Sequence, residues 1–187
     1  MIPILVDGPA VEPVGLAEMR AYLRVDDAAE DELVAGLVKA ARLVVEASSR
    51  RILTASRWRL VLDGWPSGRI VRLPLSPLIG VERIAVASGT GEAVDLPASA
   101  FSADAASDPP RILIGAEAPE PGAARAGIAI ELVAGYGPTA QAVPEPLRLA
   151  VKMLVARWFE HRGDIAGEQT LPPEALALLA PFRRARL

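Results

Sequence analysis

Between Val34 and Val45, apolar side chains fall at Val34, Leu37, Val38, Ala41, Val44 and Val45. Steps of three and four draw one apolar stripe along a helix. Glu32, Lys39, Arg42 and Glu46 fall largely outside it. Asp27 and Glu30 have capping-box spacing just upstream. A shorter helix-like stretch, with Leu16, Met19, Ala21 and Leu23, follows Pro13. From Ile52 the period changes. Trp58, Leu60 and Leu62 alternate with Arg57, Arg59 and Val61, as a strand requires. Strand patterns recur at 69–73, 81–86, 111–114 and 128–133. Turn signals separate them at 64–68, 88–91 and 108–110. After Gly137 the helical period returns. Pro144-Glu145-Pro146 opens a stripe of Leu147, Ala150, Val151, Leu154, Val155 and Trp158, and a last short helix follows Pro172-Pro173.

This order predicts an α+β fold: a helical bundle body of about four helices with an inserted antiparallel β subdomain. The expected parts are an N-terminal helical part (1–51), the β subdomain (52–137) and a C-terminal helical part (138–187) that completes the bundle. Both long stripes need a partner, and each is the other's best candidate. Leu37, Ala41, Val44, Leu147, Val151, Leu154 and Trp158 are therefore the predicted helical core.

Composition narrows the chemistry. The 187 residues are 51% hydrophobic and 23% charged, the range of an ordinary globular chain. With no cysteine, disulfides, thiolate catalysis and Cys-ligated metal sites are excluded, and one histidine, His161, excludes a multi-His site. His161 follows Trp158-Phe159-Glu160 at a helix end, where a histidine meets the last carbonyls. No catalytic constellation emerges, so the expectation is a non-enzyme with no cofactor and no metal. The apolar run after Met1 is too short for a signal peptide, and no stretch approaches the ~20 apolar residues of a membrane span. The expectation is a protein made in the cytoplasm with no membrane partner. The net charge of −3 shows no basic excess for wrapping nucleic acid. The C-terminal end is different in kind. Pro181, Phe182, Arg183, Arg184, Arg186 and Leu187 combine cations and apolar anchors without an acid. It reads either as a solvated helix end or as a docking arm.

The order of pieces resembles the head–tail connector (adaptor) proteins of tailed bacteriophages and gene transfer agents. The segment Val14-Gly15-Leu16-Ala17-Glu18-Met19-Arg20-Ala21-Tyr22-Leu23-Arg24-Val25-Asp26 is similar to that family's opening helix and its exit. Asp31 to Arg51 resembles its long second helix, and Thr54-Ala55-Ser56-Arg57-Trp58-Arg59-Leu60 its first strand. Arg72-Leu73-Pro74-Leu75-Ser76-Pro77-Leu78 resembles the proline-bearing segment that follows, Ala134-Gly135-Tyr136-Gly137 the sheet exit, and residues 143–148 the start of the third helix. Residues 171–183 resemble the closing helix. The resemblance spans nearly the whole chain and implies a structural virion protein with no catalytic residues. It implies a homo-oligomeric ring, usually a dodecamer, between the portal protein and a stopper or tail-completion protein. DNA passes through such a ring, in packaging and ejection, without sequence-specific binding. It also implies a C-terminal tail that faces the portal, and assembly into the particle in the bacterial cytoplasm. A second reading is another head-completion or tail-completion protein, stopper-like. A third is an enzyme of unseen activity.

Overall fold

The computed structural model describes residues 2–89, 92–161 and 171–183. Two compact units divide the chain. One holds residues 1–9 and 55–135, the other residues 10–54 and 136–187. Among the described residues, four α-helices and two antiparallel sheets make this an α+β protein, in which the β segment falls between two helical segments along the sequence.

The helical unit contains α1 (Leu16–Leu23), α2 (Asp31–Ser49), α3 (Glu145–Glu160) and α4 (Pro173–Leu179). Asp27 accepts a hydrogen bond from the Ala29 N–H at 2.9 Å, capping a short turn that leads into α2. Both α1 and α2 stop on an arginine in the left-handed region, Arg24 at φ 57° and Arg50 at φ 58°. The Arg50 N–H then reaches back to the Glu46 carbonyl at 2.8 Å, satisfying an otherwise orphaned acceptor. Proline opens α3 and α4, where a missing N–H costs nothing.

One core holds the four helices together. Met19, Val34, Val38, Ala41, Val45, Leu147, Ala150, Val151, Leu154, Val155, Ala175 and Leu179 are all buried in it. Of the predicted core, Ala41, Leu147, Val151 and Leu154 lie inside this cluster, while Leu37, Val44 and Trp158 pack at its rim, partly exposed. The buried line of α2 is thus rotated slightly from the predicted stripe, toward Arg42 and Ser49. Ser49 meets burial by donating its hydroxyl to the Val45 carbonyl at 2.7 Å.

The β unit has a five-stranded sheet in the order β1-β2-β8-β4-β5 and a three-stranded sheet in the order β3-β7-β6. The strands are β1 (Pro3–Asp7), β2 (Ser56–Leu62), β3 (Ile70–Arg72), β4 (Leu78–Ala87), β5 (Ala93–Asp95), β6 (Phe101–Asp104), β7 (Arg111–Ile114) and β8 (Ile128–Ala134). Every pairing is antiparallel. β8 is the central strand, with Ile128, Ile130, Leu132 and Ala134 buried on one face. Leu60 of β2 and Ile84 of β4 flank Ile130 in register on the same face. In the smaller sheet Val71, Ile112 and Ile114 are buried. Gly135, at φ 136°, takes the chain out of the sheet through a conformation that other residues rarely adopt, and its N–H bonds the Pro77 carbonyl at 2.9 Å.

One expectation needs correction. The first residues do not belong to a helical part. Pro3–Asp7 forms an edge strand on β2, with Pro3 opposite Leu60, Ile4 opposite Arg59 and Leu5 opposite Trp58. Ile4, Leu5 and Val6 suit a pleated strand, and pairing with a segment over fifty residues away decides their state.

Candidate assembly surfaces

The turn at Ala180–Phe182 is held from within. Residues 180–182 continue α4 as a tighter turn, and Phe182 packs against the helical core. Its carbonyl accepts a hydrogen bond from Arg51 Nε at 3.0 Å. Phe182 therefore serves this chain's own core and is not a free anchor for a partner. Pro181 and Arg183 are exposed. Arg184, Arg186 and Leu187 lie outside the described residues.

Two ion-pair clusters brace the helical unit. Arg148 of α3 donates to both oxygens of Glu18 at 2.6 and 2.8 Å, to Glu145 at 2.6 Å, and to the Pro13 carbonyl at 2.9 Å. Lys152, one turn on, pairs with Glu18 at 2.7 Å and Glu145 at 3.2 Å. Burial alone would raise the Glu18 carboxyl. The hydrogen bond from Lys152 and the charges of Arg148 and Lys152 outweigh it and hold the group below 4.5. Burial likewise works against a charged Lys152, but hydrogen bonds to Glu18 and Glu145 raise its pKa on balance. The second cluster is deeper. Arg42 donates to Glu12 at 2.7 Å and to Glu46 at 2.9 Å, and Glu46 also accepts the Leu53 N–H at 2.9 Å. Here burial dominates and raises the Glu46 carboxyl, against the pull of the Leu53 N–H and Arg42.

A measurable pH dependence follows from Glu18. Its carboxyl is lowered in the folded chain, so its contribution to stability is present above 4.5 and is lost as pH falls through the folded value. Glu18→Gln should therefore be less stable than the parent at neutral pH, with the gap closing in acid. Denaturant titrations of both proteins from neutral pH to about pH 3 test this; a gap independent of pH would refute it.

The outward side of the five-stranded sheet carries a cross-strand charge ladder. Arg59 meets Glu131 at 2.8 Å, Arg83 meets Asp95 at 2.7 Å, and Arg57 meets Glu82 at 2.8 Å and Asp7 at 3.4 Å. The Arg57 guanidinium is raised by its hydrogen bond and charge contact with Glu82, and Arg83 likewise by Asp95. The pairs are exposed, apart from the half-buried Glu131, and each contributes little to stability, but together they neutralise the face. Among the described residues, β1 and β5 at the sheet's rims each pair on one side only. Ile4, Leu5 and Val6 of β1 and Val94 of β5 are exposed.

A shallow groove of about 550 Å³ runs past Val11, Val14, Leu16, Val38 and Pro138. Its one acid, Glu12, is engaged by Arg42. His161 Nδ1 lies 2.9 Å from the Arg157 carbonyl at the exposed end of α3. Among the described residues no group of three or more potential ligands could hold a metal ion. Among them too, no helix is long and apolar enough to cross a membrane.

No protein-family profile matches the chain, and no curated protein does. Solved structures match it from end to end. A chain of the virion of a native gene transfer agent particle is 27% identical, with a TM-score of 0.83 over 100% of this chain and 97% of that one. A chain of the neck of an empty gene transfer agent particle, computed with C6 symmetry, is 28% identical, with a TM-score of 0.84 over the same shares. A chain of the neck of a native particle, computed with C12 symmetry, is 27% identical, with a TM-score of 0.78, again over 100% and 97%. The chain thus shares its fold, over its whole length, with structural components of gene transfer agent particles, the neck among them.

Proposed function

We propose that this chain is a head–tail connector of a phage-like or gene transfer agent particle, and not an enzyme. It forms a homo-oligomeric ring, a dodecamer, between the portal protein and a stopper or tail-completion protein. DNA passes through the ring. The observation that carries this reading is the near-complete coverage, in both directions, of chains from gene transfer agent necks. Those necks were computed with six-fold and twelve-fold symmetry, which supports a chain that repeats around a ring.

The chain's own physics suits the task. A conduit for DNA should not grip phosphates, and a net charge of −3 gives no overall pull on them. Ion pairs neutralise the charged sheet face. The cationic end beyond Phe182 is the candidate portal contact. Arg183, Arg184 and Arg186 can pair with carboxylates of a partner groove through their planar forks, and Leu187 adds an apolar end. Ordering each such residue costs about 1–2 kcal/mol of backbone entropy, so several contacts must form together.

Deleting the gene should leave DNA-filled heads without tails. A chain ending at Arg183 should fold, because Phe182 is retained on its core, yet fail to join heads to tails. Electron microscopy of particles from both strains tests this. Complete particles in the absence of the chain would refute the connector reading. Complete particles at normal yield with the shortened chain would refute the portal-facing tail.

A further inference from the structure

We infer that the ring closes through the two free edges of the five-stranded sheet, β1 of one copy adding to β5 of the next. The inference rests on the ring reading above and goes on to name its contact surface.

The edges are open and apolar. Ile4 is 51% exposed, Leu5 50% and Val94 51%. An unpaired edge strand offers a row of backbone N–H and C=O groups to any other strand, and a folded protein usually guards it. The guards on β1 stand at its ends: Pro3 at the start, and a register shift between Leu5 and Asp7. Between them Ile4 and Leu5 stay open, and Val6, at the register shift, is exposed as well. The acids at the rims would otherwise repel a like-charged neighbour. Both are already engaged, Asp7 by Arg57 and Asp95 by Arg83.

Topology makes the occupant a second copy, arranged head to tail. Three strands lie between β1 and β5, each antiparallel to its neighbours, so the two edge strands run the same way. A copy moved sideways and turned by a small rotation lays its β5 parallel to β1. Its own β1 is left free for the next copy. Such a heterologous contact repeats until it closes into a ring. Pairing β1 with β1 would run antiparallel about a two-fold axis, would stop at a dimer, and would leave β5 unused. So short a stretch of strand makes a weak contact taken singly. Closure makes every contact in the ring hold at once, which multiplies its effect.

The chain contains no cysteine, so the introduced thiols are the only ones on this chain, and cross-linked bands are identified by an antibody to it and by their mass as multiples of its own. Leu5→Cys and Val94→Cys are made singly and together, and particles purified from each strain are treated with a short bismaleimide. The double variant should give a ladder of multimers on a denaturing gel, and each single variant only monomer. A double variant that enters particles in normal amount and stays monomeric overturns the inference, as does a dimer from Leu5→Cys alone. Should the double variant fail to enter particles, Ile4→Lys decides. Its side chain is exposed, so the melting temperature should match the parent while incorporation falls by roughly tenfold or more, the equivalent of about 1.4 kcal/mol. Incorporation within about twofold of the parent, well short of that tenfold step, overturns the edge contact. If the unaltered chain is absent from purified particles, the ring reading itself fails, and the edge contact with it.

Discussion

Leu147→Ala is expected to destabilise the helical unit by about 2–5 kcal/mol, the range for removing a large aliphatic side chain from a closed core. Leu147 is fully buried, in one cluster with Val38, Ala41 and Val151. It sits in the first turns of α3, where regular hydrogen bonding limits how far the backbone can move to fill the gap. Folded domains keep only about 5–15 kcal/mol in hand, so one such change uses a large share. Denaturant unfolding should show a lower midpoint with an unchanged slope. A loss below about 1 kcal/mol would show that the four helices do not share one tight core. Trp158→Ala serves as the internal comparison. Trp158 packs at the rim of the same cluster and keeps part of its surface in water. Its loss should fall short of the about 3–5 kcal/mol of a fully buried tryptophan.

What could be read from the residues was whatever repeats along the chain. The stripes of α2 and α3 recur every three or four residues, and both helices form where the stripes lie. The alternation at Trp58 to Leu62 and at Ile128 to Val133 gives two paired strands of the larger sheet. What stayed hidden was decided by distant partners. β5 is Ala-Val-Asp and β6 is Phe-Ser-Ala-Asp, too short for a period to show. β1 has the residues of a strand but no visible partner, since β2 lies some fifty residues further along. The boundaries of the stripes were also soft. A helix stripe is about as wide as one residue's step around the axis, so Leu37 and Val44 could be core or rim until the partner helices were in place.

The candidate surfaces were legible in part, for the same reason. A cationic, partly apolar end is visible as composition, yet Phe182 turns inward because Arg51, far away in sequence, ties its carbonyl to the body. The charge ladder on the sheet could have been suspected from Arg57, Arg59, Glu82, Arg83 and Glu131, which all lie on strands. Only the register sets Arg59 against Glu131 and Glu131 against Arg83. The open edges followed from β1 and β5 themselves, neither of which the pattern revealed. Those two strands now carry the proposed ring contact, so the least legible elements of the fold bear most on its assembly.

Arg42 is the clearest instance of a residue whose pattern misleads, and it yields the second large effect. Its position on α2 suggests a solvated cation, but the side chain is only 7% exposed, between Glu12 and Glu46. Arg42→Met keeps much of the volume and the aliphatic stem while removing the charge. Glu46 then keeps the Leu53 N–H but loses its cation, in a place where burial already raises its carboxyl. Removing one member of a buried pair typically costs about 3–5 kcal/mol, because the other is left charged and uncompensated. The pH dependence identifies the cause. A carboxyl raised in the folded state stabilises the fold when protonated, and that contribution is lost as pH rises through the folded value. The deficit of Arg42→Met relative to the parent should therefore be largest near neutral pH and shrink on acidification. Adding Glu46→Gln should recover much of the loss at neutral pH, since the amide has no charge to desolvate and can still accept from Leu53. Stability of the three proteins, measured by denaturant unfolding across that range, distinguishes the cases. A deficit that grows in acid, or a double variant no better than Arg42→Met alone, would show that Arg42 acts through packing and not through the Glu46 charge.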